Sequence, residues 1–368
     1  MTKLLLSRAK LTERIPAGAR IGIKPNLVAP TPAMFGATTH PEIVAGIIEY
    51  LQEHGHRNIC MLESSWVGDK TSDAYEYCGY RTLSETYGVP FFDIKKEKSH
   101  LELCGDMSIN ISDKVRETDF LINVPVLKGH GQTRLTCALK NIKGLIPDTE
   151  KRAFHRRGLH DPIAHLSLAV KQDFIVVDHI CGDLRIEDGG NPVERNCILA
   201  ALDPVLTDTY AAHLLGYTPA DIPYIQKAQE LGIGSTALAD CRIHTFSDDA
   251  AQAPVITPAN AYDAKEMFIR PEKDLVKFRL MVNEVEACSS CYGALIPVLM
   301  RLEREGRLDS LFDRLPDGIA IGQGYEGKTG SFGIGRCCGG FRQNVPGCPP
   351  DPELIYARLL ELLGASKA

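Results

Sequence analysis

The chain has 368 residues, with 41 basic against 47 acidic side chains and a net charge of −6. That balance argues against a general nucleic-acid binder, which would carry a basic excess. At 44% hydrophobic and 24% charged residues it reads as globular, with length for two domains, and no apolar run approaches the roughly 20 residues of a membrane span.

Met1–Arg8 lacks the apolar stretch of a secretory signal, so a cytoplasmic location without membrane attachment is expected. Seven of the twelve cysteines (Cys60, Cys78, Cys104, Cys137, Cys181, Cys197 and Cys241) are isolated. In a reducing compartment they are expected as free thiols in or just under the core.

In chain order, Ala19–Ile23 predicts a strand ending in K-P-N. Pro41–His54 predicts a helix, with Ile43, Val44, Ile47, Ile48 and Leu51 at helical spacing and Gly55 as a stop. Asn58–Leu62 is the next strand and ends in E-S-S. Phe120–Val124 leads into P-V-L-K-G-H-G, and Phe174–Asp178 is a fourth strand. Strands alternating with helices predict an α/β domain built on a parallel sheet over residues 1–250. Ligands of such sheets bind beyond the carboxyl ends of the strands.

Polar residues concentrate at those ends. Lys24 and Asn26 follow the first strand. Thr38, Thr39 and His40 precede the helix, where they would cap it or cradle an anion. Glu63, Ser64 and Ser65 follow the second strand; Lys128, His130 and Thr133 follow the third; Lys140, Asn141 and Lys143 come soon after. Either these lysines converge on a small anionic substrate, or they are solvated surface charges. On the first reading, Lys24, Asn26, Glu63, Ser64, Lys140 and Asn141 bind a substrate or second cofactor. His130, His40 and Lys128 are the catalytic candidates, because imidazole titrates nearest neutral pH and lysine neutralises charge.

Asp178, Asp183, Arg185, Glu187 and Asp188 lie before Gly189–Gly190, which reads as a turn or a close approach to a ligand. Asp203 and Asp208 are expected to cap and begin a helix. His155 and His160 sit in a basic stretch, either a helix surface or a lid over an anion. Ala250–Pro271 is rich in Ala and Pro and predicts a linker, placed at 251–275. Lys277–Val285 then predicts a strand entering a second module, 276–368.

That module carries the remaining five cysteines. Cys288 and Cys291 form a C-x-x-C; Cys337 and Cys338 are adjacent in G-I-G-R-C-C-G-G; Cys348 sits in G-C-P-P. Two cysteines three apart, on a turn that opens a helix, aim their sulfurs into one volume. Four thiolates suit a [4Fe-4S] cube and also suit zinc. Adjacent side chains seldom reach one cube together, and Gly339–Gly340 favours Cys338 over Cys337 as the third ligand. Pro352–Leu363 predicts a closing helix with Leu354, Ile355, Ala357, Leu359, Leu360 and Leu363 on its apolar face.

The motif order C-x-x-C, Gly-flanked Cys, G-C-P-P resembles the cluster region of the hydrogenase small subunit and of the twenty-kilodalton iron–sulfur subunit of respiratory complex I. The spacing between third and fourth ligands is shorter here. Upstream, I-K-P-N-L-V, T-T-H-P-E, P-V-L-K-G-H-G-Q-T, A-L-K-N-I-K-G-L-I-P and D-P-V-L-T-D recur in order over residues 19–235. Together they resemble the family called domain of unknown function 362. That resemblance implies an α/β fold, often with an attached iron–sulfur module, and no settled activity. The family is also distantly similar to the lactate racemase group, an analogy of fold alone.

The expectation is an iron–sulfur oxidoreductase that moves electrons between a [4Fe-4S] cluster and a small anionic substrate or second cofactor. One alternative is a cluster-dependent lyase or isomerase using an open iron as Lewis acid. Another is a non-catalytic electron carrier or adaptor. The reading admits a redox partner protein and a homodimer.

Overall fold

The computed structural model describes residues 1–364 except 185, 188, 190–191, 246–276 and 279. Arg185, Asp188 and Gly190, and the expected linker, lie outside the described residues. The chain divides into two compact units. The first comprises Met1–Ser65, Lys70–Glu150 and His160–Pro271; the second comprises Trp66–Asp69, Lys151–Leu159 and Glu272–Ala368.

The first unit contains strands β1 (Ile21–Lys24), β2 (Ile59–Glu63), β3 (Phe91–Asp93), β4 (Ser99–Cys104), β5 (Met107–Ser112), β6 (Phe120–Asn123), β7 (Lys128–His130), β8 (Arg134–Thr136), β9 (Phe174–Asp183) and β10 (Pro192–Ala201). Six of them form one sheet in the order β10-β9-β6-β1-β2-β3. Its pairings are parallel except β9 with β10. β4–β5 and β7–β8 are separate hairpins. β1 and β6 are buried along their whole length. This explains why they read as near-continuous apolar runs rather than as alternating ones.

Helix Pro41–Glu53 begins with Pro at its first position, where the missing N–H costs nothing. It buries Ile43, Val44, Ile47, Ile48 and Leu51 in the same core as Ile21, Ile23, Ile59, Met61 and Ile122. Each such side chain contributes about 1.5–3 kcal/mol. From β1 the chain moves to β2 and β3 on one side. It then returns to β6 and β9 on the other. The direction reverses between β1 and β6, so the crevice beyond Lys24 and Asn123 is the sheet's topological switch point.

The second unit holds β11 (Val282–Glu284), β12 (Ile319–Ile321), β13 (Phe332–Ile334) and β14 (Gln343–Val345), all parallel and in sequential order. The expected strand Lys277–Val285 is corrected here. Lys277, Phe278, Leu280 and Met281 are helical, and only Val282–Glu284 pairs in the sheet. Phe278 and Met281 are buried three positions apart, a helical rather than a strand spacing. The closing helix spans Pro352–Leu362 and buries only Ile355 and Leu359; Leu354 is exposed. Among the described residues no helix is long and apolar enough to cross a membrane.

Candidate functional site

At the switch point of the first unit, Lys24 ends β1 and Glu63 ends β2. The Lys24 Nζ lies 2.6 Å from the Glu63 carboxylate, and both side chains are buried. Lys24 also donates to the Pro25 carbonyl. The Glu63 carboxylate accepts from the amides of Leu27 and Ser64. Ser64 Oγ donates to the Gly144 carbonyl. Lys24 is therefore committed to Glu63 rather than presented to a ligand. Burial pushes its pKa down, and Glu63 opposes that push.

Asn26 links the next layer. Its amide donates to Thr39 Oγ1 and its side chain to Asn141 Oδ1, at 2.8 and 2.9 Å. Asn141 in turn donates to Asn123 Oδ1 at 2.7 Å and to the Lys24 carbonyl. Asn123 is a site residue that the sequence reading passed over; a polar side chain closing the apolar run F-L-I-N was its only signal. Lys128 is buried and donates to the carbonyls of Ala37 and Glu187 and to Asn26 Oδ1.

The two candidate histidines differ. His130 is buried, and its Nδ1 accepts from the amides of Gln132 and Thr133. That fixes the proton on Nε2, which faces Glu187 Oε1 at 3.2 Å. Backbone amides engage Nδ1, while Nε2 faces the Glu187 carboxylate as an ion-pair contact without a well-aligned hydrogen bond. His40 Nδ1 lies 2.8 Å from Asp178 Oδ2, and Asp178 also accepts from the His40 amide. Asp178 is fully buried, whereas the His40 ring keeps an exposed edge. Burial lowers the His40 pKa, but the hydrogen bond and charge of Asp178 outweigh it and leave it raised. A carboxylate-oriented imidazole with one free edge is the geometry of a general acid or base.

Asp203 caps helix Pro204–Leu214 as expected. Asp208 does not begin that helix; it lies buried within it. Its carboxylate accepts from the amides of Ala138 and Leu139, so it caps the short helix Ala138–Asn141 that carries Lys140 and Asn141.

In the second unit, each strand end feeds one cavity of about 170 Å³. Cys288 and Cys291 follow β11, Gly322, Gln323 and Glu326 follow β12, Cys337 follows β13, and Cys348 follows β14; all line it. Cys288 is the N-cap of helix Ser289–Arg304, the turn that C-x-x-C predicts. Gly335, at φ +93°, approaches so closely that an added Cβ would lie 3.1 Å from Cys291 Sγ. The side-chain geometry runs against the preference for Cys338. Its side chain is buried away from the cavity and donates to the Ala320 carbonyl at 3.3 Å, while Cys337 faces inward. The 3-10 turn Arg336–Cys338 sends adjacent side chains in different directions.

Arg152, Arg156 and Arg336 complete the wall; Arg152 reaches Cys348 Sγ at 4.0 Å, and Arg156 donates to Gln323 Oε1. The i, i+4 spacing of Arg152 and Arg156 in the basic stretch was the available signal. Burial, followed by the thiols of Cys288, Cys348, Cys337 and Cys338, pushes the Cys291 pKa far up. Burial, Glu326 and Cys348 raise that of Cys337, against Arg336 and Arg152. These sulfurs become thiolates readily only beside added positive charge, which a metal core supplies. The donor set thus fits a thiolate-bound metal group. Among the described residues, no three His, Cys, Asp or Glu side chains are grouped to hold a single metal ion; the four thiols surround a volume. All twelve cysteines are free of disulfides.

The model of the family described as "Domain of unknown function (DUF362)" matches residues 21–213, more than half of the chain. A thylakoid-associated protein of a Synechocystis species is 26% identical over 234 residues, 61% of this chain and 71% of that protein. The structure of the lactate racemase apoprotein from Thermoanaerobacterium thermosaccharolyticum superposes with a TM-score of 0.39 at 14% identity, over 58% of this chain and 55% of that one. A Thermotoga maritima protein gives 0.37 at 13%, over 62% and 58%. The chain spans a little over half the length of these solved structures.

Gly144 packs against the buried ion pair. An added Cβ would lie 1.9 Å from Glu63 Oε1 and 2.7 Å from Lys24 Nζ. Gly144→Ala is expected to split the pair and destabilise the fold by about 3–5 kcal/mol in chemical denaturation; an unchanged midpoint would contradict this packing. For His40, the raised folded pKa means that its pair with Asp178 adds stability fully present below about pH 6.5. That contribution is lost as pH rises through the higher folded value. Asp178→Asn should bring the NMR titration of His40 down and flatten the pH dependence of stability over that window. A titration that stays in place would show that Asp178 does not hold the imidazolium.

Proposed function

The chain belongs to the DUF362 family, and from that premise we propose that it is an iron–sulfur oxidoreductase. The second unit holds one [4Fe-4S] cluster on Cys288, Cys291, Cys337 and Cys348, and the first unit holds a small anionic substrate or second cofactor at its switch point. The observation that carries this reading is the arrival of four cysteines, from the ends of three parallel strands, on one cavity. When bound, the cluster supplies a store for single electrons.

The chain's own residues have distinct tasks. The four cysteines bind as thiolates, and because burial holds the Cys291 and Cys337 thiols protonated, loading releases protons. Arg152 and Arg336 offset the charge that the thiolates add. In the first unit, Asp178 orients His40 so that its outer edge donates or accepts a proton at a bound ligand. Lys128 places a fixed positive charge beside Asn26.

With Cys338 turned into the core, four thiols remain for four irons. A closed cube favours electron transfer over the lyase reading, which needs an iron without a thiolate. The His40–Asp178 pair argues against pure electron carriage, because a carrier needs no oriented imidazole.

Protein expressed with ample iron and purified without oxygen should carry about four irons and four sulfides per chain. Cys288→Ala, Cys291→Ala, Cys337→Ala and Cys348→Ala should each deplete the cluster, and Cys338→Ala should retain it. Stoichiometric zinc with no iron would overturn the cluster reading. Loss of iron in Cys338→Ala with retention in Cys337→Ala would overturn the ligand set.

A further inference from the structure

Lysines 24, 128 and 140 stand around the switch point of the first unit, and their ammonium groups meet different fates. Lys24 is sealed against Glu63 at 2.6 Å. Lys128 is buried among the carbonyls of Ala37 and Glu187 and the side chain of Asn26. Lys140 is only half-buried. Its Nζ makes one long hydrogen bond, to Thr136 Oγ1 at 3.4 Å, and no carboxylate among the described residues lies within ion-pair distance. Its backbone is nonetheless fixed: Asp208 caps the helix that carries it, and the neighbouring Asn141 is tied to Asn26 and Asn123. A rigid stem thus presents an amine that the protein itself leaves nearly unengaged.

We propose that Lys140 is a nucleophilic amine that captures the carbonyl carbon of a small aldehyde or 2-oxo acid as an imine. The nitrogen lone pair forms the N–C bond, and the carbonyl π electrons move to oxygen. The resulting carbinolamine loses one water, with both amine protons leaving on it or to solvent, to give C=N. Nothing is oxidised or reduced. Desolvation, aided by the charge of Lys128 and opposed by Glu187, brings the Lys140 pKa down to about 7, so a large fraction of the amine is neutral near pH 7. Lysines activated in this way form Schiff bases. The inference names a substrate class for the first-unit site. It rests on that half of the proposed function and is independent of the cluster.

The test is brief exposure of the full chain at pH 7 to glyoxylate or, separately, propanal, with cyanoborohydride to reduce any imine, followed by peptide mass spectrometry. Lys140 should be modified at least about tenfold faster than an exposed lysine such as Lys171, because an ordinary lysine is almost wholly protonated at that pH. The excess should shrink as the pH approaches 10. A preference confined to glyoxylate assigns a 2-oxo acid, and an equal preference for propanal assigns a carbonyl compound without need of a carboxylate. Lys140→Arg, with an unchanged circular dichroism spectrum, should abolish the selective product. Equal labelling of Lys140 and Lys171, or labelling of Lys171 alone, overturns the inference. Calorimetric binding of glyoxylate without a reducible adduct overturns it too, while leaving the first-unit ligand site standing.

Discussion

A lysine and a glutamate buried side by side constrain the whole first unit. Removing two charges from water costs several kcal/mol each, and only close contact and further hydrogen bonds offset it. Here the offset is assembled from separate parts of the chain. β1 contributes Lys24, β2 contributes Glu63, and the amides of Leu27 and Ser64 each donate to one of the two carboxylate oxygens. Gly144 closes the lid because no larger residue fits over Glu63 Oε1. The pair therefore ties the ends of two neighbouring parallel strands to the A-L-K-N-I-K-G segment. Either charge left alone would be intolerable, so both strand ends and that segment must arrive together.

The same logic of strand ends builds the second unit by other chemistry. Four parallel strands of three residues each deliver their following loops to one volume, and three of those loops bring cysteine. Parallel strands point all their carboxyl ends one way, so a short sheet suffices to gather ligands that are 60 residues apart in sequence, Cys288 and Cys348. Glycines after β13 and in the 66–69 segment serve close approach. Gly335 leaves room for Cys291 Sγ, and an added Cβ at Gly68 would collide with Pro349.

Much of this was legible in the sequence because it depends on local pattern. The apolar runs Ile21–Lys24 and Phe120–Asn123, the helix over Pro41–Glu53 and the C-x-x-C at a helix start all obey short-range rules. What was not legible depends on direction and on long-range partners. Nothing local distinguishes Cys337 from Cys338; which of them lines the cavity depends on the way a single 3-10 turn faces. Asp208 looks like a residue of its own helix, yet its carboxylate serves amides 70 positions earlier. His130 and His40 were equal candidates as imidazoles. They part company because backbone amides of Gln132 and Thr133 occupy one ring, while a carboxylate from β9 orients the other.

The lysines carry the same lesson into electrostatics. Counting four of them near element ends suggested a shared positive field, but a buried cation acts according to what faces it. Lys24 faces a carboxylate, so its charge is cancelled locally and it organises structure. Lys128 donates to the carbonyls of Ala37 and Glu187 and to Asn26 Oδ1, and its charge is felt at Lys140. Lys140 sits within reach of that charge with only a hydroxyl as partner. Desolvation and the neighbouring cation both disfavour its charged form, with Glu187 as the one opposing influence. One residue type thus supplies a structural tie, a field and a reactive amine, and the division follows from the partner that each strand end or turn happens to bring.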